Sequence, residues 1–293
     1  TQILGQSQPR VSRHLRLLCD AGLLDRFREG TFAFFRLADR GPPAVLTQTL
    51  VDGIPPDDPA LARDLERLEA IKRARTEAAA GYFRENAARW HVVRALHAPE
   101  REVEEVLLSL LADRGVGHLL DIGTGTGRML ELFGPRVGQA VGIDLSREML
   151  AVARARLEHA GLRNCQVRHA DMYQLPLPAE TVDLAVIHQV LHYAEEPADV
   201  VAEAARVLRP GGRLVVVDFA RHTLESLRTD HAHRRLGFTD DEVAGWCRLA
   251  GLACAPAIHL PGDPLTVTVW PASHRQTATG IAPPPVSRSG APQ

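Results

Sequence analysis

Over the second half of the chain, short apolar runs alternate with segments of helical period, and this alternation predicts a parallel α/β sheet. Strand signals fall at 118–122, 140–143, 166–169, 182–187 and 213–219. Helix signals lie between them, at 129–133, from Ser146 through Met149, Leu150, Val152 and Ala153, and at 198–208. Thr239-Asp240-Asp241-Glu242 forms a capping box that opens a further helix to Leu249. Two last strands, near 254–260 and 265–270, join through Pro261-Gly262-Asp263-Pro264 and predict a terminal antiparallel hairpin. The expectation is a doubly wound α/β sheet of seven strands over residues 81–270.

The first half follows a different rhythm. Residues 3–18 read as a helix end, a turn at Gly5 and a second helix, with Val11, Leu15 and Leu18 at core-facing spacing. Residues 24–37 read as two strands around Arg28-Glu29-Gly30-Thr31. Gly41-Pro42-Pro43 and Ile54-Pro55-Pro56 punctuate a hinge, so residues 41–80 are expected to be a linker and connecting helix. The composition from 60 to about 96 is strongly helical. Residues 103–111 predict an amphipathic helix, and 271–293, poor in large apolar residues, predict a disordered tail.

Composition narrows the picture slightly. An apolar fraction of 45%, a charged fraction of 24% and a net charge of -2 describe an ordinary globular protein without a global nucleic-acid field. The charge is segregated, however. Seven arginines against four acids leave residues 10–40 with a net +3. The four cysteines, Cys19, Cys165, Cys247 and Cys254, form no CxxC pair, which fits a reducing cytoplasm and neither a disulfide framework nor a zinc knuckle. No run is long enough to span a membrane. The chain begins at Thr1 inside a helix pattern, so residues preceding it are expected.

The chemistry centres on Asp121-Ile122-Gly123-Thr124-Gly125-Thr126-Gly127-Arg128, a strand running into a glycine turn that opens a helix. Such a loop suits a nucleoside ligand at the carboxyl edge of a parallel sheet. The third small residue of a dinucleotide fingerprint falls at Arg128, which argues against NAD. The spacing G-x-G-x-G resembles the first motif of class I S-adenosylmethionine-dependent methyltransferases, which have a Rossmann-like sheet. Further landmarks follow in order. Asp144 ends the second strand about 20 residues after the first glycine, and Ala170-Asp171-Met172 closes the third. His188-Gln189-Val190-Leu191-His192-Tyr193 follows the fourth, and Leu208-Arg209-Pro210-Gly211-Gly212 precedes the fifth. The resemblance implies S-adenosyl-L-methionine as cofactor and S-adenosyl-L-homocysteine as product. It places Asp121, Gly123, Thr124, Gly125, Gly127 and Arg128 at the cofactor, Asp144 on the ribose, and Leu145, Met149, Asp171 and Met172 around the adenine. His188, Gln189 and His192 are the expected catalytic residues, with His188 also near the cofactor's methionine part; an exposed loop position remains the alternative for His192. Tyr82 and Trp90, in an aromatic cluster with Phe83 and His91, are either a cofactor lid or core packing. His231 and His233 are expected to face solvent, and no metal site is expected.

The arginine-bearing helix carries a second resemblance. Ser7-Gln8-Pro9-Arg10-Val11-Ser12-Arg13-His14-Leu15-Arg16 followed by the glycine-tipped hairpin resembles the turn, recognition helix and wing of ArsR-type winged-helix repressors. Within 1–40 it implies double-stranded DNA as partner and contacts from Gln8, Arg10, Ser12, Arg13, Arg16 and Arg28; a homodimer is also expected, with residues 60–76 read as a connecting or dimer-forming helix. Two functions follow. One is a methyltransferase for a small-molecule acceptor, fused to a DNA-binding domain. The other is a regulator whose methyltransferase-like domain senses S-adenosylmethionine or S-adenosylhomocysteine.

Overall fold

The computed structural model describes residues 1–29, 32–38, 41–87, 100–110 and 115–274. Its first part is a helix, Gln8–Asp20 (α1), followed by strands Leu24–Glu29 (β1) and Phe32–Leu37 (β2), antiparallel with Arg26 opposite Phe35. Pro9 falls in the first turn of α1, where its missing N–H is no loss. No residue of α1 is buried; Val11 and Leu15 are half-covered, while Leu18 of the expected core face lies exposed. Gly30 and Thr31, the expected hairpin tip, and the aromatic pair Trp90 and His91 lie outside the described residues.

Gly41-Pro42-Pro43 does not form a hinge. It is the first turn of a helix, Gly41–Asp52 (α2), where backbone N–H groups have no intrahelical carbonyl to donate to and proline's missing N–H is no loss. Asp58 then caps the long helix Pro59–Asn86 (α3), accepting from the backbone N–H groups of Ala60 and Leu61 at 2.7 and 2.9 Å. Near its start, α3 touches the N-terminus, where Arg67 Nη1 donates to the Ile3 carbonyl at 3.3 Å.

Glu100–Ser109 (α4) leads into the sheet. The elements that follow are Val116–Ile122 (β3), Arg128–Phe133 (α5), Val137–Asp144 (β4), Arg147–His159 (α6), Cys165–His169 (β5), Val182–His188 (β6), Pro197–Val207 (α7) and Leu208–Phe219 (β7). Ser226–Asp230 (α8), Asp240–Leu249 (α9), Leu252–Cys254 (β8), Ile258–Leu260 (β9) and Val267–His274 (β10) complete them. The strand order is β5-β4-β3-β6-β7-β10-β8, with β9 also on β10. The first five strands are parallel, and β10 is antiparallel to β7.

Successive residues of β3 point to opposite faces, and both faces are covered over its second half, so Leu119, Leu120 and Ile122 are all buried. Leu119 packs with Val103, Leu107 and Phe133, whereas Leu120 and Ile122 pack with Val200, Val201 and Val243. From β3 the chain steps outward to β4 and β5, then returns to the other side for β6 and β7. That reversal opens a crevice at the carboxyl ends of β3, β4 and β6.

Two boundaries differ from expectation. The single strand expected at 254–260 is split, because Pro256 has no N–H to offer a ladder. Its halves pair separately with β10, Cys254 opposite Ala272 and Leu260 opposite Val267, so the sheet has eight strands rather than seven. Residues 271–274, expected in a disordered tail, belong to β10; 275–293 lie outside the described residues.

Candidate cofactor and acceptor site

The loop between β3 and α5 forms one wall of a cavity of about 420 Å³. Gly123 has φ +71°, and a Cβ there would lie 2.4 Å from Val190 Cγ2, so only glycine fits. Gly125 lines the cavity with Thr124, above the buried Asp121 carboxyl. Gly127 does not line it. At φ +82° it caps α5, and a Cβ would meet that of Ala153 in α6 at 3.1 Å, so its task is packing. The close helix contact that a dinucleotide loop makes one residue later is made here by Gly127, which releases Arg128. Arg128 reaches the cavity but forks onto Glu104 of α4 at 2.7 and 2.6 Å, a pairing that raises its pKa.

Asp144 ends β4 with each carboxylate oxygen already holding one backbone N–H, Gly125 at 2.9 Å and Ser146 at 2.8 Å. Burial pushes its pKa up, and those two bonds oppose the shift. A carboxylate has about four acceptor sites, so roughly two remain for a diol. Leu145 and Met149 flank it along α6, and Ala170 and Met172 close that end of the cavity beyond β5. Asp171 between them turns away. Its Oδ1 accepts from Tyr173 N at 3.0 Å and stabilises the turn to Gln174, and the residue is exposed rather than in the cavity wall.

The opposite end is built by the loop after β6. His188 and Gln189 line the cavity, and Gln189 adopts φ +53°, uncommon for a residue with a side chain. His192, expected at the reaction centre, does not line it. It is 2% exposed, with Nδ1 bonded to Asp218 Oδ1 at 2.7 Å and its ring stacked on His233 at 3.9 Å. Buried against the fully buried Asp218, it fixes the loop from behind. His231 and His233, expected to face solvent, are drawn inward: His233 is buried, and the half-buried His231 bonds the Tyr82 hydroxyl through Nδ1 at 2.8 Å. This bond draws Tyr82 away from the cavity, and the next residues of α3, Phe83 and Arg84, line it instead.

Arg84, Glu195 and Arg234 are wall residues that the sequence does not single out, and Phe83, expected in core packing, and Tyr193, in the loop after β6, join them. Phe83 follows Tyr82, the expected lid residue, directly on α3. Arg234 carried no signal, since it arrives from about 40 residues beyond the β6 loop to pair with Glu195 at 3.1 Å.

A glycine turn that admits no side chain, a carboxylate with acceptor sites to spare and an apolar flank beside it are what a nucleoside site in an α/β protein requires. The family described as a methyltransferase domain matches residues 120–216. The chain is 30% identical over 203 residues to a ubiquinone biosynthesis O-methyltransferase of Aromatoleum aromaticum, covering 63% of this chain and 86% of that one. It therefore belongs to the S-adenosylmethionine-dependent methyltransferases, of class I fold. It is also 44% identical over 107 residues to a phosphatidylethanolamine N-methyltransferase of Cereibacter sphaeroides, 36% of this chain and 52% of that one. The YcgJ protein of Bacillus subtilis shares the fold, with a TM-score of 0.53 at 19% identity over 60% of this chain and 99% of that one. The chain spans about half the length, or less, of several curated relatives it matches.

Proposed function

We propose that the protein transfers the methyl group of S-adenosyl-L-methionine to a small-molecule acceptor. The observation that carries this reading is that one cavity joins Asp144 and the glycine loop to His188 and Gln189. When bound, the cofactor supplies a methyl group on a sulfonium, and S-adenosyl-L-homocysteine is the product. Asp144 takes the ribose hydroxyls with its remaining lone pairs, and Leu145, Met149 and Met172 hold the adenine. Asp121, Gly123, Thr124 and Gly125 form the floor beneath the cofactor's methionine part. His188 receives the acceptor's proton and Gln189 orients the acceptor, so that alignment supplies most of the catalysis. Transfer of radiolabelled methyl to a panel of phenols, amines and thiols tests the reading; no labelled product from any of them defeats it.

The helix α1 and hairpin β1–β2 form, on this reading, the ArsR-type winged-helix reader of double-stranded DNA. Gln8, Arg10, Ser12, Arg13 and Arg16 are all exposed, as phosphate and base contacts require, and Arg28 lies on β1, the wing. A homodimer is proposed through apolar residues exposed nearby, including Leu17, Val45, Leu46 and Leu50. The setting proposed is cytoplasmic; among the described residues no helix is long and apolar enough to cross a membrane.

The helix α3 favours a second reading, in which the cofactor or its product is also a signal. α3 brings Phe83 and Arg84 to the cavity and Arg67 to Ile3, beside the arginine helix. A ligand that prefers one placement of α3 would shift DNA affinity by its differential affinity for the two. Operator binding with and without each nucleoside decides; equal affinities exclude the signal.

A further inference from the structure

Tyr193 ends the short 3₁₀ turn Leu191–Tyr193 that follows His188 and Gln189, and it lines the same cavity. Three rings fix its own: Phe83 at 4.8 Å, His192 at 4.1 Å and His233 at 5.2 Å between centroids. His192 is in turn held by Asp218, so the support reaches back into the sheet. Among the described residues, the Tyr193 hydroxyl has no hydrogen-bond partner. The side chain is half-buried in the cavity wall, so a molecule entering the cavity can reach the hydroxyl and supply the bond it lacks. Burial, with Tyr82 and Asp218 close by, holds this phenol well above the ordinary tyrosine range, so it stays a neutral donor.

We infer that Tyr193 is the hydrogen-bond donor that binds the methyl acceptor, a small, largely apolar molecule that turns an electron-rich oxygen towards it. A fixed neutral O–H suits a phenolate, enolate or carbonyl oxygen; an ammonium nitrogen has no lone pair to accept it. Phe83, Met172 and Val190 supply the apolar walls that the rest of such a molecule needs. The inference rests on the methyltransferase reading, and the test separates the two.

The full chain, saturated with S-adenosylhomocysteine, is titrated calorimetrically with phenol and with toluene, its oxygen-free analogue. The wild type should bind phenol about tenfold or more tightly than toluene. Tyr193→Phe should weaken phenol about 10- to 100-fold while leaving toluene and S-adenosylhomocysteine within about twofold. Equal affinity of the wild type for the two probes overturns the inference, as does a variant that keeps the preference. If the variant fails to fold, the wild-type ratio decides alone. A wild type that takes up no S-adenosylhomocysteine overturns the methyltransferase reading, and the inference with it.

Discussion

The sheet region and the N-terminal helix–hairpin use their side chains in opposite ways. In the sheet region the charged groups at the cavity are committed within the fold: Arg128 to Glu104, Asp144 to two backbone N–H groups, and behind them His192 to Asp218. In α1 no residue is buried, and Arg13 is exposed without an ion pair or hydrogen bond among the described residues. A committed frame leaves few acceptor sites, and those that remain point to a particular small ligand. An uncommitted surface is what the proposed DNA contact would require, since the duplex would supply both contacts and cover.

The strongest way to break that contrast is Asp144→Ala. Losing two hydrogen bonds to a charged acceptor at about 1.5–3 kcal/mol each should weaken S-adenosylhomocysteine about 10²- to 10⁴-fold, measured by calorimetry. DNA affinity without nucleoside should not change. The wild type should show the same dependence on pH. Burial raises the Asp144 pKa, so the ribose acceptor is lost as pH falls through a value above that of an ordinary aspartate. Stability of the ligand-free protein responds with the opposite sign: this carboxyl is protonated more readily folded than unfolded, so its contribution declines as pH rises through that window. Parallel loss of affinity and stability on acidification would contradict the assignment.

Gly123→Ala should have the next largest effect. Positive φ and a Cβ 2.4 Å from Val190 force both the loop and its neighbour to move. The expected cost is about 1–3 kcal/mol in denaturant unfolding, with cofactor affinity falling alongside. An unchanged midpoint would mean that the glycine turn is less tightly framed than the contrast requires.

What the sequence made legible follows the same division. The order of strands, the glycine loop and the place of Asp144 at the end of β4 could be read because period-2 and period-3.6 patterns and a turn chemistry are local. His192, Tyr82 and Asp171 were misplaced because burial and a competing partner, Asp218, His231 or the N–H of Tyr173, decide where a side chain goes. No local pattern reveals such partners at separations of 26 and 149 residues. For α1 the helix and hairpin were legible, but their function depends on a surface, and surfaces carry the weakest pattern.

Arg13→Ala tests the uncommitted side. Removing one phosphate contact should weaken operator binding several-fold and lower the salt slope by about 1, at all sequences alike. S-adenosylhomocysteine affinity should stay within about twofold. A slope identical to the wild type would place Arg13 away from the duplex and leave Arg10 and Arg16 to carry the contact.

Arg128→Gln should give the smallest effect, and it sharpens the comparison most directly, because Arg128 and Arg13 were both expected to touch a ligand. Arg128 is 37% exposed and Glu104 16%, so solvent screens much of their attraction. The fork geometry nevertheless ties α4 to the start of α5, and losing it should cost about 0.5–1 kcal/mol of stability. Cofactor affinity should change by less than about twofold, since the guanidinium is already held by Glu104. A tenfold loss of affinity without loss of stability would mean that Arg128 leaves Glu104 for the ligand. In that case the same residue would serve both uses, and commitment in the unliganded fold would be a poor guide to what a side chain does when the site is filled.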